Sequence, residues 1–453
     1  MLTVIGGGLA GCEAAWQAAE CGVDVELFEM RPHKSGPAHK TGDLAELVCS
    51  NSLRGAALEN AVGLLKEELA RLDSLIITSA REAAVPAGGA LAVDRELFAR
   101  RVQGRLEAHP NIRVRREEVS AVPLDRPTIV ACGPLPGDAL LADIDRLVGG
   151  AGRLHYFDAA SPIVSADSID ESQMYRKSRY DKGEGSDYLN IPLDKEQYGQ
   201  LVADLRDLPK HHPKDFESDS STPYFEGCLP VEEMAMRGED TLRFGPLKPV
   251  GLQDPRTGIR PYAVVQLRKE NIGGTAFNLV GFQTRLSWPA QKEAFGKLPG
   301  LQNAEWLRLG VMHRNTFIDS PRLLDADLRL RGHDRLFFAG QITGSEGYVE
   351  AAACGAIAAI AASRHILGLR HIDIPKETAL GAVIAHLQNT VTDSFQPANV
   401  TWAPFPPLRK TVKDKHERRR HLALRALEAL DVFKIQLGRE SDLCPETQAS
   451  AAG

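Results

Sequence analysis

The 453-residue chain contains only seven cysteines, and no two of them have the C-x-x-C spacing of a zinc site or a redox pair. An odd number without paired spacing argues against a disulfide framework, so we predict neither structural zinc nor any other metal centre. Cys12, Cys132 and Cys354 lie in strand-like or helix-like stretches of small apolar residues, where we expect them to pack in the core. Cys49 and Cys228 lie in neither setting.

The chain also lacks a strong excess of one charge and a long apolar run. Its formal net charge of −6 argues against nucleic-acid binding over the whole surface. No stretch approaches the roughly 18 consecutive apolar residues of a membrane span, and residues 1–20 do not have the pattern of a signal peptide. We therefore expect a cytoplasmic protein that does not bind a membrane. Its length predicts two or three globular domains.

What the chain does have is a G-x-G-x-x-G motif at its very beginning. The apolar run Leu2–Ile5 predicts a buried strand, and a helix is predicted over Cys12–Ala19. Between them, Gly6 allows a tight turn, Gly8 allows the backbone to approach a pyrophosphate, and Gly11 allows close helix packing. The N-terminal amides of the helix would face the negative charge of that pyrophosphate.

An acidic residue follows the motif at the distance that a dinucleotide site requires. The stretch Val23–Glu29 predicts a second strand ending in Glu29, where a ribose hydroxyl needs an acceptor. The sequence therefore predicts a dinucleotide site built from Gly6, Gly7, Gly8, Leu9, Ala10, Gly11 and Glu29.

A second strand–turn–helix pattern lies late in the chain, over residues 335–355. An apolar strand meets a Gly-rich turn and then a long helix of small residues that can pack tightly. A simple NAD dehydrogenase does not need this late unit, whereas FAD does, because the far end of the chain must hold its isoalloxazine ring. We therefore favour FAD over NAD as the tightly bound cofactor. Tyr348 is either a ring that stacks on the flavin or a core aromatic; the predicted contacts here are Gly340, Gln341, Gly347 and Tyr348.

These patterns predict an α/β fold in which an FAD-binding Rossmann-like domain carries an inserted α+β domain. The strand at Thr128, which ends at Gly133, resembles the return strand of flavoproteins with the glutathione-reductase topology. The regular alternation of strands and helices is lost over 156–310 and then resumes. We predict the first part of the FAD domain over 1–155, the inserted domain over 156–310, and the returning FAD domain with a basic helical segment over 311–453.

Positive charge is concentrated near the C-terminus. Residues 408–440 contain ten Lys or Arg against five Asp or Glu. The run fits either a solvated amphipathic helix or an RNA-facing surface. The candidate RNA-binding residues are Arg409, Lys410, Arg418, Arg419 and Arg420.

Several long motifs resemble one superfamily of tRNA-modifying flavoproteins. The first is the stretch 338–353, and the others are 28–32, 47–54, 156–162, 225–230, 395–399 and 405–407. The resemblance runs from residue 1 to about residue 430. One branch of the superfamily is the folate- and FAD-dependent tRNA (uracil-5-)-methyltransferase, which these motifs resemble more. The other branch installs carboxymethylaminomethyl groups on wobble uridine.

The resemblance implies roles for two thiols. C5 of uridine is a poor nucleophile until a thiolate adds to C6, and the C5 proton must later leave. The family's two cysteines fall at Cys228, as the nucleophile, and at Cys49, as the partner thiol in proton abstraction. The two roles could be reversed, and two buried free thiols are the simpler alternative. Arg54 is expected to help keep a thiolate at Cys49.

The same resemblance implies the other reactants. Methylenetetrahydrofolate would be the carbon donor, NADPH or NADH the reductant, and a T-loop uridine of tRNA the target, flipped out to reach the flavin. The chain has no second G-x-G-x-x-G, so a separate tightly held nicotinamide is not expected. No obligate protein partner is evident. A small-molecule NAD(P)H:flavin oxidoreductase and a non-catalytic tRNA-binding flavoprotein remain the rival functions.

Overall fold

The structure, a computed structural model, describes residues 1–150, 153–211, 224, 229–389 and 395–441. Its strands are β1 (Leu2–Ile5), β2 (Val25–Phe28), β3 (Ser52–Gly55), β4 (Ala84–Val85), β5 (Ala90–Val93), β6 (Ile112–Arg115), β7 (Thr128–Val130), β8 (Arg153–Ala159), β9 (Ile163–Ser165), β10 (Tyr175–Arg176), β11 (Tyr188–Leu193), β12 (Ala263–Lys269), β13 (Ala276–Leu279), β14 (Trp306–Arg308), β15 (Met312–Ile318) and β16 (Leu336–Phe338). Its helices are α1 (Leu9–Glu20), α2 (Ala61–Arg71), α3 (Leu75–Glu82), α4 (Arg95–Ala108), α5 (Asp138–Val148), α6 (Lys195–Asp207), α7 (Val231–Arg237), α8 (Thr241–Phe244), α9 (Trp288–Gly296), α10 (Ser320–Leu323), α11 (Tyr348–Ile366), α12 (Ala379–Leu387) and α13 (Lys415–Ser441).

The first strand of the chain lies at the centre of a parallel sheet. The sheet has five strands in the order β16-β7-β1-β2-β6, and every neighbouring pair is parallel. All four side chains of β1 are buried, as expected for a strand covered on both faces. Because β16 joins this sheet beside β7, the beginning and the late part of the chain build one unit. The predicted α/β class with a Rossmann-like dinucleotide domain is thereby confirmed.

Helix α1 packs against the small-residue helix α11. A Cβ atom on Gly355 would lie 2.2 Å from the backbone oxygen of Ala10, so only glycine permits this approach. Helix α1 begins at Leu9, directly after the glycine turn, rather than at the predicted Cys12.

Among the described helices, α11 alone has the length and mean hydropathy of a membrane span, but 83% of its apolar stretch is buried inside the fold. Glu350 and Arg364 interrupt its apolar residues, and packing in the core accounts for its apolar composition.

The strands between residues 163 and 308 form a second, six-stranded sheet in the order β10-β11-β12-β13-β9-β14. On β12, Val265 and Leu267 point into a hydrophobic core that is separate from that of the parallel sheet. The alternate residues Gln266 and Arg268 therefore lie on the opposite face. This sheet with its helices matches the α+β character expected of the insertion. The boundaries at 155 and 310 stay a prediction.

The C-terminal helix α13 packs along one side of the FAD domain. Its buried residues recur with helical spacing, and its Asp431 pairs with Arg71 of α2 at 2.9 Å. The buried residues are Leu422, Ala423, Ala426, Leu427, Leu430 and Phe433. The helix is thus amphipathic, and the role of its cations in binding RNA stays a prediction.

Candidate active site

A cleft of about 1070 Å³ runs along the carboxyl ends of β1 and β2. Nine of the predicted cofactor residues line it: Gly6, Gly7, Gly8, Leu9, Ala10, Glu29, Gly340, Gln341 and Tyr348. Gly347 lines a neighbouring cleft instead, and Gly11 lies beneath the glycine turn. Residues from both ends of the chain thus meet in one groove, as a long dinucleotide requires.

Two glycines of the motif have different surroundings. A Cβ on Gly11 would lie 1.8 Å from the backbone oxygen of Gly6, so Gly11 permits the turn to close. A Cβ on Gly8 would meet no protein atom within 4 Å. The space at Gly8 is open toward the cleft, at the N-terminus of α1, where a pyrophosphate would bind. This arrangement fits FAD.

Glu29 lies directly after β2, but a buried arginine already contacts its carboxylate. Its Oε2 accepts the N–H of Gly7 at 2.8 Å, and both oxygens accept hydrogen bonds from the side chain of Arg31. Burial opposes ionisation, but the hydrogen bonds and charge of Arg31 outweigh it, so the pKa of Glu29 is lowered. Arg31 also pairs with Glu46 at 3.1 Å. The sequence predicted the acid but missed Arg31, although it lies only two residues further on.

A second cleft, of about 1230 Å³, adjoins the first and contains Cys49. The residues shared by both clefts are Ala38, Val48, Pro134, Leu135, Gln341 and Tyr348. The second cleft is also lined by Arg54, Asp158, Arg268, Asn278, His313, Glu346, Gly347 and Asn399. A planar ring at the junction would therefore face the thiol of Cys49 on one side and the dinucleotide groove on the other.

The backbone around Cys49 is fixed by groups from distant parts of the chain. The Cys49 N–H donates to the hydroxyl of Tyr348 at 2.8 Å, and Nη2 of Arg95 donates to the Cys49 carbonyl at 3.3 Å. Arg95 and Arg308 are also close enough for their charges to interact with the Cys49 side chain. Arg54, which the sequence favoured for this role, instead forms an ion pair with Glu350. Proximity in sequence suggested Arg54, and no local pattern pointed to the other two arginines.

The inserted sheet supplies buried hydrogen-bond donors to the same cleft. Arg268 is 6% exposed, and its partners among the described residues, Asn51, Asn278 and Tyr188, are all uncharged. The Nδ2 of Asn278 is buried and has no partner within the described part of the chain. Donors of this kind suit a ligand that is rich in carbonyl groups.

Cys228 lies outside the described residues. On either side of it, Tyr224 pairs with Phe157 of β8, and the N–H of Val231 donates to the carbonyl of Gln283 at 2.7 Å. Gln283 lines the second cleft. Within the described ranges, no group of three His, Cys, Asp or Glu residues has a geometry that could hold a metal ion.

Comparison with known proteins agrees with this geometry. The family model described as GIDA, glucose inhibited division protein A, matches residues 1–370. The chain is 55% identical over 436 residues to the methylenetetrahydrofolate--tRNA-(uracil-5-)-methyltransferase TrmFO of Geobacter sp. (strain M21), covering 96% of this chain and 99% of that protein. It is 56% identical over 435 residues to the TrmFO of Heliobacterium modesticaldum, covering 96% and 98%.

The fold has a counterpart among solved structures. The structure of Aquifex aeolicus GidA in its form II crystal superposes with a TM-score of 0.69 at 16% identity, covering 99% of this chain and 74% of that one. At that identity the likeness concerns the fold alone. From the match over residues 1–370 and the relatives at 55% and 56% identity, the chain belongs to the glucose inhibited division protein A family, in its methylenetetrahydrofolate--tRNA-(uracil-5-)-methyltransferase (TrmFO) branch.

Proposed function

We propose that this protein is a flavin- and folate-dependent tRNA (uracil-5-)-methyltransferase. It transfers the methylene carbon of methylenetetrahydrofolate, by way of reduced FAD, to C5 of a T-loop uridine, and the product is 5-methyluridine. The observation that carries the proposal is the junction of two clefts at Tyr348, one built for a dinucleotide and the other containing Cys49. The naming of the relatives supports the same reaction.

The residues of the first cleft would hold FAD, which supplies carbon-transfer and hydride chemistry when bound. The backbone from Gly6 to Ala10 would face its pyrophosphate, and Gln341 and Tyr348 would border its ring. The carboxylate of Glu29, already bonded to Gly7 and Arg31, would anchor the ribose end.

The two thiols act on the uracil ring in different steps. Cys228 adds to C6, which makes C5 nucleophilic, and Cys49 removes the C5 proton once the new carbon is attached. Residue 228 is three residues before Val231, whose N–H is bonded to Gln283 in the second cleft. The charges of Arg95 and Arg308 favour a thiolate at Cys49.

The basic segment would hold the tRNA. Among the five candidates, Arg409, Lys410, Arg418 and Arg420 are exposed and Arg419 is half-buried, and none pairs with a carboxylate of the described residues. Asn399 lines the second cleft, and the basic segment begins ten residues later. Ten residues span at most about 35 Å, so Arg409 lies within that distance of Asn399 and is placed to contact a phosphate near a uridine flipped into the cleft.

NADPH or NADH would reduce the flavin by transient binding at its exposed face. The expected cytoplasmic location stays a prediction. Wobble-uridine modification is disfavoured because the relatives at 55% identity are named uracil-5-methyltransferases.

The decisive assay offers unmodified tRNA, methylenetetrahydrofolate and NADPH to FAD-loaded wild type and to Cys228→Ala. We expect 5-methyluridine from wild type and none from the variant. NADPH oxidation without RNA methylation by wild type would instead identify a small-molecule oxidoreductase. Binding of tRNA without any turnover would identify a non-catalytic flavoprotein.

A further inference from the structure

Glu346 is a buried carboxyl group in the cleft that contains Cys49. It is 6% exposed and immediately precedes Gly347 at the start of α11. Its Oε2 accepts a hydrogen bond from the hydroxyl of Tyr156, and its Oε1 accepts one from Nε2 of Gln341 at 2.9 Å. No cation of the described residues pairs with it, unlike Glu350 one turn later.

The groups around Glu346 favour its protonated form. Burial, together with the negative charges of Asp158 on β8 and Glu350 on α11, raises its pKa to about 7, against the opposing effect of the hydrogen bonds from Tyr156 and Gln341. The charge of Glu350 is offset by its ion pair with Arg54. His313, which also lines the cleft, has its pKa lowered by burial, Arg308 and His39, and is neutral at pH 7. Glu346 is thus a carboxyl group that gains and loses a proton near neutral pH.

The proposed reaction requires such a group. Exchanging the hydrogen at C5 for a methyl group releases one proton for each uridine. Cys49 can take that proton once, but its thiol must lose it again before the next turnover. A proton acceptor is most efficient when its pKa lies near the working pH.

We propose that Glu346 accepts the C5 proton from Cys49, and that Tyr156 acts as a positioning residue for Glu346. This inference rests on the proposed methyltransferase function. The C5–H bond breaks, and its electron pair stays on the pyrimidine ring, delocalised toward the oxygen at C4. The proton passes to the Cys49 thiolate and then to a carboxylate oxygen of Glu346, which regenerates the thiolate. Solvent receives the proton from Glu346 between turnovers.

The test measures single-turnover formation of 5-methyluridine by FAD-loaded enzyme as a function of pH. For wild type we expect a rate that rises with pH through a midpoint near 7, because Glu346 must be ionised to accept a proton. Glu346→Gln should lower the rate by about 10²-fold and remove that midpoint. Asp158→Asn should move the midpoint to lower pH, because it removes a negative charge that disfavours ionised Glu346.

Two controls separate proton transfer from folding. Glu13→Gln also replaces a buried carboxyl with an amide, but on α1 among Gln17, Ser74 and Ile76, and it should keep the wild-type midpoint. Glu346→Gln should still bind FAD and still form a covalent adduct with 5-fluorouridine RNA, because thiolate addition precedes proton loss.

The proposal is overturned if wild type methylates tRNA and Glu346→Gln keeps its rate and pH profile. It is equally overturned if Asp158→Asn leaves the midpoint unchanged or raises it, or if Glu346→Gln loses FAD and adduct formation together. Absence of methylation by wild type would instead remove the proposed function itself.

Discussion

The hydroxyl of Tyr348 accepts the backbone N–H of Cys49 at 2.8 Å, although 299 positions separate the two residues in the chain. It also accepts the N–H of Ser50 at 3.2 Å. Tyr348 is the first residue of α11 and lines both clefts. Its hydroxyl therefore fixes the thiol loop relative to the helix that borders the dinucleotide groove.

Removal of this hydroxyl should impair catalysis more than cofactor binding. In Tyr348→Phe the N–H groups of Cys49 and Ser50 lose their acceptor, and a hydrogen bond of this kind contributes about 1 kcal/mol. We expect methylation to fall about 10-fold while FAD content stays that of wild type. Measuring kcat beside flavin absorbance checks this. Loss of the flavin from Tyr348→Phe would contradict this expectation and show that the hydroxyl is also needed to hold the cofactor.

The glycine motif allows a matched pair of substitutions. Gly8→Ala adds a methyl group to open space at φ −77°, so the chain should fold with an unchanged melting temperature but lose FAD. Gly11→Ala places the same methyl group 1.8 Å from the oxygen of Gly6 and should prevent folding of the domain. Thermal unfolding without cofactor and flavin absorbance after reconstitution distinguish the two effects. Full FAD binding by Gly8→Ala would contradict the placement of the pyrophosphate.

The dinucleotide-binding half of the protein can be predicted from the sequence because its signals are local. The apolar run of β1, the three glycines and Glu29 lie within one short stretch, and each has a single structural reason. The predicted start of α1 at Cys12 is wrong because the helix begins inside the glycine motif, where Leu9 and Ala10 form its first residues.

The site around Cys49 can be predicted only in part from the sequence because its contacts join distant segments of the chain. Arg95 and Arg308 reach the Cys49 loop from α4 and β14, and neither lies in a motif with a known spacing to Cys49. Glu346 lies within the motif 338–353, yet its importance depends on burial beside Tyr156, which periodicity does not reveal. Sequence alone favoured the nearest cation, Arg54, which the fold pairs with Glu350.

Glu29 should make the protein's stability depend on acid pH. Its pKa is lowered in the folded state, so its contribution is present above the unfolded value of about 4.3 and is lost as the pH falls. We expect Glu29→Gln to cost about 3 kcal/mol at pH 7, because Arg31 stays buried with Glu46 as its remaining partner. The free energy of unfolding in urea should then fall less steeply than in wild type below pH 5 (about the start of carboxylate titration).

A neighbouring glutamate provides the control. Glu26→Gln on β2 removes a partner of Arg115, a 3.1 Å pair whose arginine is 44% exposed, and should cost less than about 1 kcal/mol. Equal acid sensitivity of wild type and Glu29→Gln would mean that the Glu29–Arg31 pair does not stabilise the fold.

The basic segment should determine affinity for tRNA. Replacing Arg418, Arg419 and Arg420 together by alanine should weaken tRNA binding and reduce the slope of log K against log salt by up to about 2–3, since each phosphate contact contributes nearly one unit. Reduction of bound FAD by NADPH should not change. Lys434→Ala serves as the control, because that cation already pairs with Asp73 at 3.3 Å. An unchanged salt slope in the triple variant would assign RNA binding to another surface.

The assignment of the two thiols can be decided by trapping. Cys228→Ser should abolish methylation and keep FAD, because an alkoxide is far scarcer than a thiolate at neutral pH. Cys49→Ser should also be severely impaired, but after addition to C6, so a covalent enzyme–RNA adduct should accumulate. RNA containing 5-fluorouridine cannot lose a proton from C5 and should trap wild type through Cys228, as peptide mapping would reveal. An adduct at Cys49 would reverse the two roles. Full activity in both variants would show that neither thiol is needed, and of the proposed site only the flavin-binding part would then stand.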